Sequence, residues 1–275
     1  MAYWESYEEF TEKFKHRMTT DDCYTPEPVY EAVKRWAVRE YGREYGIDES
    51  RIVRPFYPGG DYERYDYQKG CVVLDNPPFS KLKTIIRFYD EREIDYFLFA
   101  PTLTILSTIN GTGASGIVAA IKAKYENGAT VNTSFVSNME PALVRSAPAL
   151  RNEVERAQRE QKGRRTPAQK PNGQRYEYPE EVLRSMDIAA YSRAQIDFRV
   201  PREDGMIIWR LDEQRAAGKE LFGRGVLLSQ KGHKARVAAD ARLREARKVI
   251  RWELSERERK IIDEMSRKGG EAEEL

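Results

Sequence analysis

Asn76-Pro77-Pro78-Phe79 sets an amide, two rigid imino acids and an aromatic ring at the end of an apolar run, Cys71-Val72-Val73-Leu74-Asp75. An Asn side-chain oxygen and the carbonyl of the following Pro both accept hydrogen bonds, so together they can hold a planar amino group by its two N–H bonds. Such an amine, as in adenine, is a poor nucleophile because its lone pair is delocalised into the ring. Two acceptors favour a more tetrahedral nitrogen, with the lone pair directed at an electrophile such as a methyl sulfonium. Two successive prolines stiffen the loop, so the acceptors are in place before a substrate arrives. Phe79 offers a ring on which a base can stack, and a base drawn from a duplex must first be unstacked at a cost of a few kcal/mol. A Pro-Pro after a strand is also an ordinary stop signal; the Asn before it and the aromatic and helix start behind it favour chemistry.

The elements that must position this loop are legible around it. The run Cys71 to Asp75 suits a strand buried on both faces of a parallel sheet. Ser80 is a good cap for a helix with Leu82, Ile85, Ile86 and Tyr89 on one face, and Tyr96 to Ala100 reads as the next buried strand. Strand, loop, helix and strand in this order predict an α/β fold. Upstream, Arg51 to Phe56 reads as a short strand running into the tight Gly-rich turn Tyr57-Pro58-Gly59-Gly60-Asp61. Before it, Thr25 can cap and Pro26 can open a helix that buries Val29, Val33 and Trp36 and ends near Gly42 or Gly46. Downstream, Ile117 to Tyr125 and Thr130 to Ser137 flank Asn127-Gly128, which predicts an antiparallel hairpin.

With 275 residues the chain is long enough for one α/β domain and an appendage, or for two small domains. Its net charge of +2 does not announce a nucleic-acid partner, so any basic surface must come from clustering. One cluster runs from Arg151 to Arg175, where Gly163, Pro167, Pro171 and Gly173 suggest a loop that is either simply solvated or makes phosphate contacts. The expected organisation is therefore a catalytic domain over 1–150, a basic linker over 151–178 and a C-terminal extension over 179–275. Within the extension, Ile207-Ile208-Trp209 and Gly225 to Ser229 read as short strands joined through a bend at Phe222 to Gly225. A charged helix follows from Lys234, and Ser255 with Glu258 makes a capping box for a last helix. Tyr176, Tyr178 and Trp209 are candidates for base stacking, although burial is the plainer reading. Residues Met1 to Thr20 carry Trp4, Tyr7, Phe10 and Phe14 at helical spacing. Cys23, Cys71, His16 and His233 are too few for a disulfide framework or a zinc cluster, so no metal is expected. With no signal peptide and no membrane-spanning run, a cytoplasmic protein is expected.

The motif resembles that of amino-methyltransferases, written Asp/Asn-Pro-Pro-Tyr/Phe in that family, at all four positions. More broadly, Asp22-Cys23-Tyr24-Thr25-Pro26, then Arg54 to Tyr62, then Asp75 to Ser80 resemble EcoRI-type adenine-specific modification methylases and related phage adenine methyltransferases. The resemblance covers roughly the first half of the chain. It implies a class I, Rossmann-like methyltransferase sheet ending in an antiparallel hairpin, with S-adenosylmethionine as cofactor and DNA as partner. It implies methyl transfer at Asn76, Pro77, Pro78 and Phe79. The cofactor would lie against Tyr24, Thr25, Pro26, Pro55, Phe56, Tyr57, Gly59, Gly60 and Asp61, and target recognition would fall in the C-terminal half. Two departures stand out. Arg54 occupies the place where the family's first loop opens with an acidic residue, and the stretch from Asp61 to Asn76 is too short for the usual helix and two strands.

The tetrapeptide by itself does not separate adenine N6 from cytosine N4, guanine N2 of RNA or a protein glutamine amide. A carbon-5 cytosine enzyme is disfavoured, since neither Cys23 nor Cys71 follows a proline. The reading from another class is a methyltransferase-like fold that binds nucleic acid without catalysis.

Overall fold

The computed structural model describes residues 25–56, 60–124, 130–160 and 177–247, with Glu256, Arg257 and Arg259. The chain divides into two units, Met1–Leu243 and Arg244–Leu275; both sheets lie in the first.

Helix α1 (Glu27–Tyr45) buries Val29, Val33, Trp36 and Tyr41 along one side and stops at Gly46, whose φ of 63° a residue with a Cβ rarely adopts. The next elements are strands β1 (Ile52–Val53) and β2 (Val72–Asp75), helix α2 (Leu82–Asp90) and strand β3 (Asp95–Pro101). Val72 pairs with Ile52 on one side and Asp95 on the other, both in parallel. After the short helix α3 (Ile105–Ile109), β4 (Ser115–Lys124) and β5 (Thr130–Ser137) pair antiparallel, as the sequence predicts, and β5 inserts between β3 and β4. Strand β6 (Val144–Ser146) lies parallel to β4. It is followed by helix α4 (Pro148–Glu160), strand β7 (Val182–Leu183), helix α5 (Ser185–Arg193) and strand β8 (Arg199–Val200), and β8 pairs antiparallel with β6. The result is a mixed, Rossmann-like seven-stranded sheet in the order β1-β2-β3-β5-β4-β6-β8, with helices packed on it. A three-stranded sheet follows, β7-β10-β9, in which β9 (Gly205–Ile208) and β10 (Gly225–Leu228) flank helix α6 (Asp212–Ala216) in sequence. Helix α7 (Gln230–Ala246) follows β10.

Both faces of the large sheet are covered, which is why its central strands are apolar without alternation. Phe97 and Phe99 pack with Val72, Leu74 and Phe135 under α1 and α4. Tyr96, Leu98 and Ala100 face the other way, into a core shared with α2, α5 and the small sheet through Leu183 and Val226. Period-two geometry assigns alternate residues of one strand to the two cores.

A bulge interrupts β4, where the pairing with β5 shifts between Ile117 and Ile121 and Ala120 takes a φ of 53°. Its displaced backbone groups are satisfied from three elements. Arg151 of α4 donates to the Ala119 and Ala120 carbonyls, Ser192 of α5 donates to the Val118 carbonyl, and Ser134 accepts from Ala120 N at 3.2 Å. The bulge therefore locks two helices to the sheet.

Several expectations need correction. Pro26, not Thr25, is the N-cap of α1, and no side-chain cap bond is made there. Ser80 lies inside a 3-10 turn, Phe79–Lys81, and α2 starts after it with Lys81 as N-cap; the second proline leaves the chain extended before it can coil. The sheet does not end at the hairpin, because β6 and β8 extend it. Residue 150 falls inside α4, and β8, from the expected extension, joins the large sheet, so no boundary lies there. The expected linker is helical as far as Glu160, since Leu150, Val154 and Ala157 bury one face of α4. The remainder of that linker to Tyr176, the hairpin turn over 125–129, the Ser255 and Glu258 capping box and the helix proposed over Met1 to Thr20 lie outside the described residues.

Charge is also buried in the core. Glu140, 1% exposed, accepts from Tyr41 Oη at 2.8 Å and from Arg145 Nη1 at 3.2 Å, and Arg145 also reaches Glu40 at 2.6 Å. Removing the guanidinium leaves Glu140 a buried, uncompensated charge. Arg145→Met is expected to lower unfolding stability by about 3–5 kcal/mol, and adding Glu140→Gln should recover part of that loss. Urea denaturation of the two variants checks both; an unchanged midpoint in Arg145→Met would remove the ion cluster from the account.

Candidate active site

Strands β1, β2 and β3 run parallel, so their carboxyl ends meet at one edge of the sheet, where open α/β sheets hold ligands. Strand β4 reaches the same edge through two antiparallel steps, so the base of the β4–β5 hairpin also stands there.

At this edge the chain leaves β2 through Asp75 and enters Asn76-Pro77-Pro78-Phe79. Asp75 is 3% exposed, and both of its oxygens are committed. Oδ1 accepts from Asn76 N at 2.9 Å and Oδ2 accepts from Phe56 N at 2.7 Å. One carboxylate thus ties the loop after β1 to the loop after β2. Burial holds the Asp75 carboxyl above the ordinary carboxylate range, while the N–H groups of Asn76 and Phe56 and the Arg54 guanidinium pull it down.

Arg54, the departure from the family pattern, stands beside this carboxylate. Its Nε is 3.7 Å from Asp75 Oδ1 and its Nη1 is 3.4 Å from Glu27 Oε2 at the start of α1. Its guanidinium carbon lies 3.7 Å from the centre of the Tyr30 ring. Tyr30 in turn donates to the Leu74 carbonyl at 3.1 Å, and burial raises its phenol pKa. Glu27, Tyr30, Arg54 and Asp75 therefore form one cluster linking the first turn of α1 to the ends of β1 and β2.

Among the catalytic candidates, Pro77 is buried while Asn76, Pro78 and Phe79 are half-buried. The Pro78 carbonyl accepts from Lys81 N at 3.1 Å, which closes the 3-10 turn. Phe79 and Val131 pack against Ala123 at the hairpin base. Among the cofactor candidates, Thr25 is buried and its hydroxyl finds no hydrogen-bond partner among the described residues. Pro26 and Phe56 are half-buried, Pro55 is buried, and Gly60 and Asp61 are exposed. Asp61 accepts from Glu63 N at 3.0 Å, so it shapes its own turn. Tyr24, Tyr57, Pro58 and Gly59 lie outside the described residues.

Phe56 begins an aromatic wall. Its ring centre is 5.3 Å from that of Tyr62, which meets Phe88 of α2 edge-on at 5.2 Å. Tyr67 Oη donates to the Tyr62 carbonyl at 2.8 Å and lies 3.0 Å from Tyr89 Oη. Sequence reasoning missed this wall, and also Tyr30 and Asp75. The signal for Asp75 was present, because a carboxylate ending a strand buried on both faces must have partners.

Comparison with known proteins found no matching family model, no matching curated protein and no matching solved structure. Among the described residues no group of three or more His, Cys, Asp or Glu could hold a metal ion, and no helix is long and apolar enough to cross a membrane.

Asp75→Asn turns one acceptor into a donor facing a backbone N–H, and a loss of about 1–3 kcal/mol is expected. The sign of the pH dependence follows from the raised pKa of the folded state, which makes native Asp75 hold its proton more tightly than the unfolded chain does. Its contribution is full below the unfolded value of about 3.9 and declines as pH rises through the elevated one. The margin of the parent over Asp75→Asn is therefore widest in acid and narrows towards neutral pH. Urea midpoints across that window check this, and a margin that widened with pH would show that burial does not dominate.

Proposed function

We propose that this chain transfers a methyl group from S-adenosylmethionine to an exocyclic amine, the N6 of an adenine in DNA. The observation that carries the reading is the Asn76-Pro77-Pro78-Phe79 loop at the carboxyl edge, anchored through Asp75 to the loop of the neighbouring parallel strand. Adjacent loops on adjacent parallel strands are where donor and acceptor can meet.

The residues present fit the cofactor. The buried Thr25 hydroxyl is a polar group that a ligand atom would satisfy. Arg54 and Glu27 carry the charges complementary to the carboxylate and ammonium of an amino-acid moiety, and Phe56 with Tyr62 presents rings for a purine. Arg54 in place of an acid then reads as a change in which end of the ligand is gripped at this position. When bound, S-adenosylmethionine supplies an electrophilic methyl on a sulfonium.

The chain's own residues do the rest. The Asn76 side-chain oxygen and the Pro77 carbonyl accept the two N–H bonds of the target amine and direct its lone pair. Pro77 and Pro78 keep those acceptors rigid, so little reorganisation accompanies reaction. Phe79, seated on the hairpin base, offers a ring face to the base once it has left its stack.

The compressed cofactor half, with only a short stretch between Asp61 and Asn76, favours one second reading, a methyltransferase-like fold that binds nucleic acid without catalysis. Two measurements separate the readings. For an enzyme, S-adenosylmethionine at about 100 times its Kd stabilises the protein by about 2.7 kcal/mol, seen as a rise in Tm. Tritiated methyl should pass to unmethylated DNA, and Asn76→Ala should slow that transfer about 10²–10³-fold with the fold intact. Identifying the methylated base also separates adenine N6 from cytosine N4. Neither a Tm shift nor transfer to DNA, RNA or protein would rule out the catalytic reading.

A further inference from the structure

The connection between β9 and β10 carries aromatic side chains that neither core uses. Trp209 is 48% exposed and Phe222 is 78% exposed, beside Leu103 at 40%. Their place in the fold is fixed by Gly223, which has a φ of 74° and would set an added Cβ 2.2 Å from the Leu103 carbonyl oxygen. The loop is thus pressed onto the chain just after β3. Leu103 follows the carboxyl end of β3, the parallel neighbour of β2, so these rings stand at the same sheet edge as Asn76.

A cleft of about 290 Å³ opens there, lined by Thr104, Ser107, Trp209 and Phe222, with Glu220 as its acidic member. Cations gather around it. Arg224 Nε donates to Ser107 Oγ at 3.2 Å, and the guanidinium carbons of Arg224 and Arg210 lie 5.7 Å and 4.5 Å from the Trp209 ring centre. Lys83, in the first turn of the helix that follows the Asn76 loop, donates to the Asn110 carbonyl at 2.6 Å. Burial, and to a smaller extent the charges of Arg87 and Arg224, lower the Lys83 pKa.

Exposed flat rings bracketed by guanidiniums suit a ligand that is both flat and anionic. Base stacking rewards the rings, and phosphates pair with the charges of Arg210, Arg224 and Lys83. An apolar protein surface would use the rings but leave the cations unrewarded.

We propose that the surface formed by Trp209, Phe222, Arg210, Arg224 and Lys83 binds unpaired nucleotides of a nucleic-acid substrate, with bases on the rings and phosphates on the cations. This rests on the reading of the Asn76 loop as the site that takes a base from such a substrate. A base drawn out of its stack leaves unpaired neighbours, and this surface lies along the edge where they would emerge.

Fluorescence anisotropy of the full chain with labelled single-stranded and duplex DNA tests the proposal. The Trp209→Ala, Phe222→Ala double variant is expected to lose about tenfold or more in single-strand affinity, with its Tm unchanged. Arg224→Gln should reduce the steepness of the salt dependence by about 0.7, the slope for one phosphate contact on a single strand. Parental affinity and salt slope in both variants would overturn the proposal, as would loss of self-association in the double variant with DNA affinity intact. Methyl transfer by the same preparations keeps the two ideas apart. An Asn76-dependent parent whose surface variants bind as it does removes this surface alone. Binding that needs these residues, without any transfer or Tm response to S-adenosylmethionine, keeps the surface and removes the catalytic reading.

Discussion

A carboxylate at the end of a strand covered on both faces has nowhere to be hydrated, so the chain must bring donors to it. Asp75 receives two backbone N–H groups, from Asn76 within its own loop and from Phe56 across the neighbouring strand. Each of those bonds fixes a different loop, and because they share one rigid carboxylate the loops cannot shift independently. The candidate site depends on this joint. Without it, the prolines would stiffen the Asn76 loop internally but leave its position relative to the β1 loop undetermined. The burial that makes the joint directional also opposes the ionised form, so Arg54 completes the arrangement with a positive charge 3.7 Å away.

The fold around this joint was legible where periodicity and turn chemistry agree. Continuous apolar runs marked β2 and β3, the one-sided spacing of Leu82, Ile85, Ile86 and Tyr89 marked α2, and Asn127-Gly128 marked the β4–β5 pairing. What was not legible came from long-range pairing. Strands β6, β7 and β8 have two or three residues each, too short to show a period, and they exist because neighbouring strands offer them partners. Helix α4 was hidden by its charge: Arg156 and Arg159 on its outer side make it read as a loop, while Leu150, Val154 and Ala157 are buried behind them. Arg151 is also not a solvated cation, since it donates to the carbonyls of the β4 bulge.

The site divides along the same line. The residues of the Asn76 loop are contiguous, so their candidacy could be read from four letters. The Arg54 cluster joins residues 27, 30, 54 and 75, and no local pattern announces it. Arg54 looked like a defect against the family pattern when only its position in the loop was considered. In three dimensions its guanidinium is held by a carboxylate at the start of α1, a buried carboxylate at the end of β2 and the Tyr30 ring, three contacts that an acidic residue could not make. The short stretch between the two loops has a comparable account. With β1 directly beside β2, the chain from Asp61 to Gly70 only has to return along one pair of strands, and Tyr62 and Tyr67 fill the space against Phe88 and Tyr89.

That compression has a consequence for the opposite flank. Strand β1 ends the sheet on one side, and among the described residues the edge there is formed by the loop after β1 and the start of α1. On the other side, beyond β3, the chain builds outward: α3 follows the strand, Ser185 donates to the Leu103 carbonyl at 3.3 Å, and the β9–β10 connection closes over it at Gly223. The nucleic-acid substrate we propose needs more area than a single loop provides, and this is the flank where the described chain supplies it. Its exposed aromatic rings and cations continue the edge on which Asn76 stands, and the parallel registration of β2 with β3 carries that edge from one to the other without a break. Direction in the sheet, set by strand pairing far from either feature, is what places the Asn76 loop and a ring-and-cation surface on the same edge.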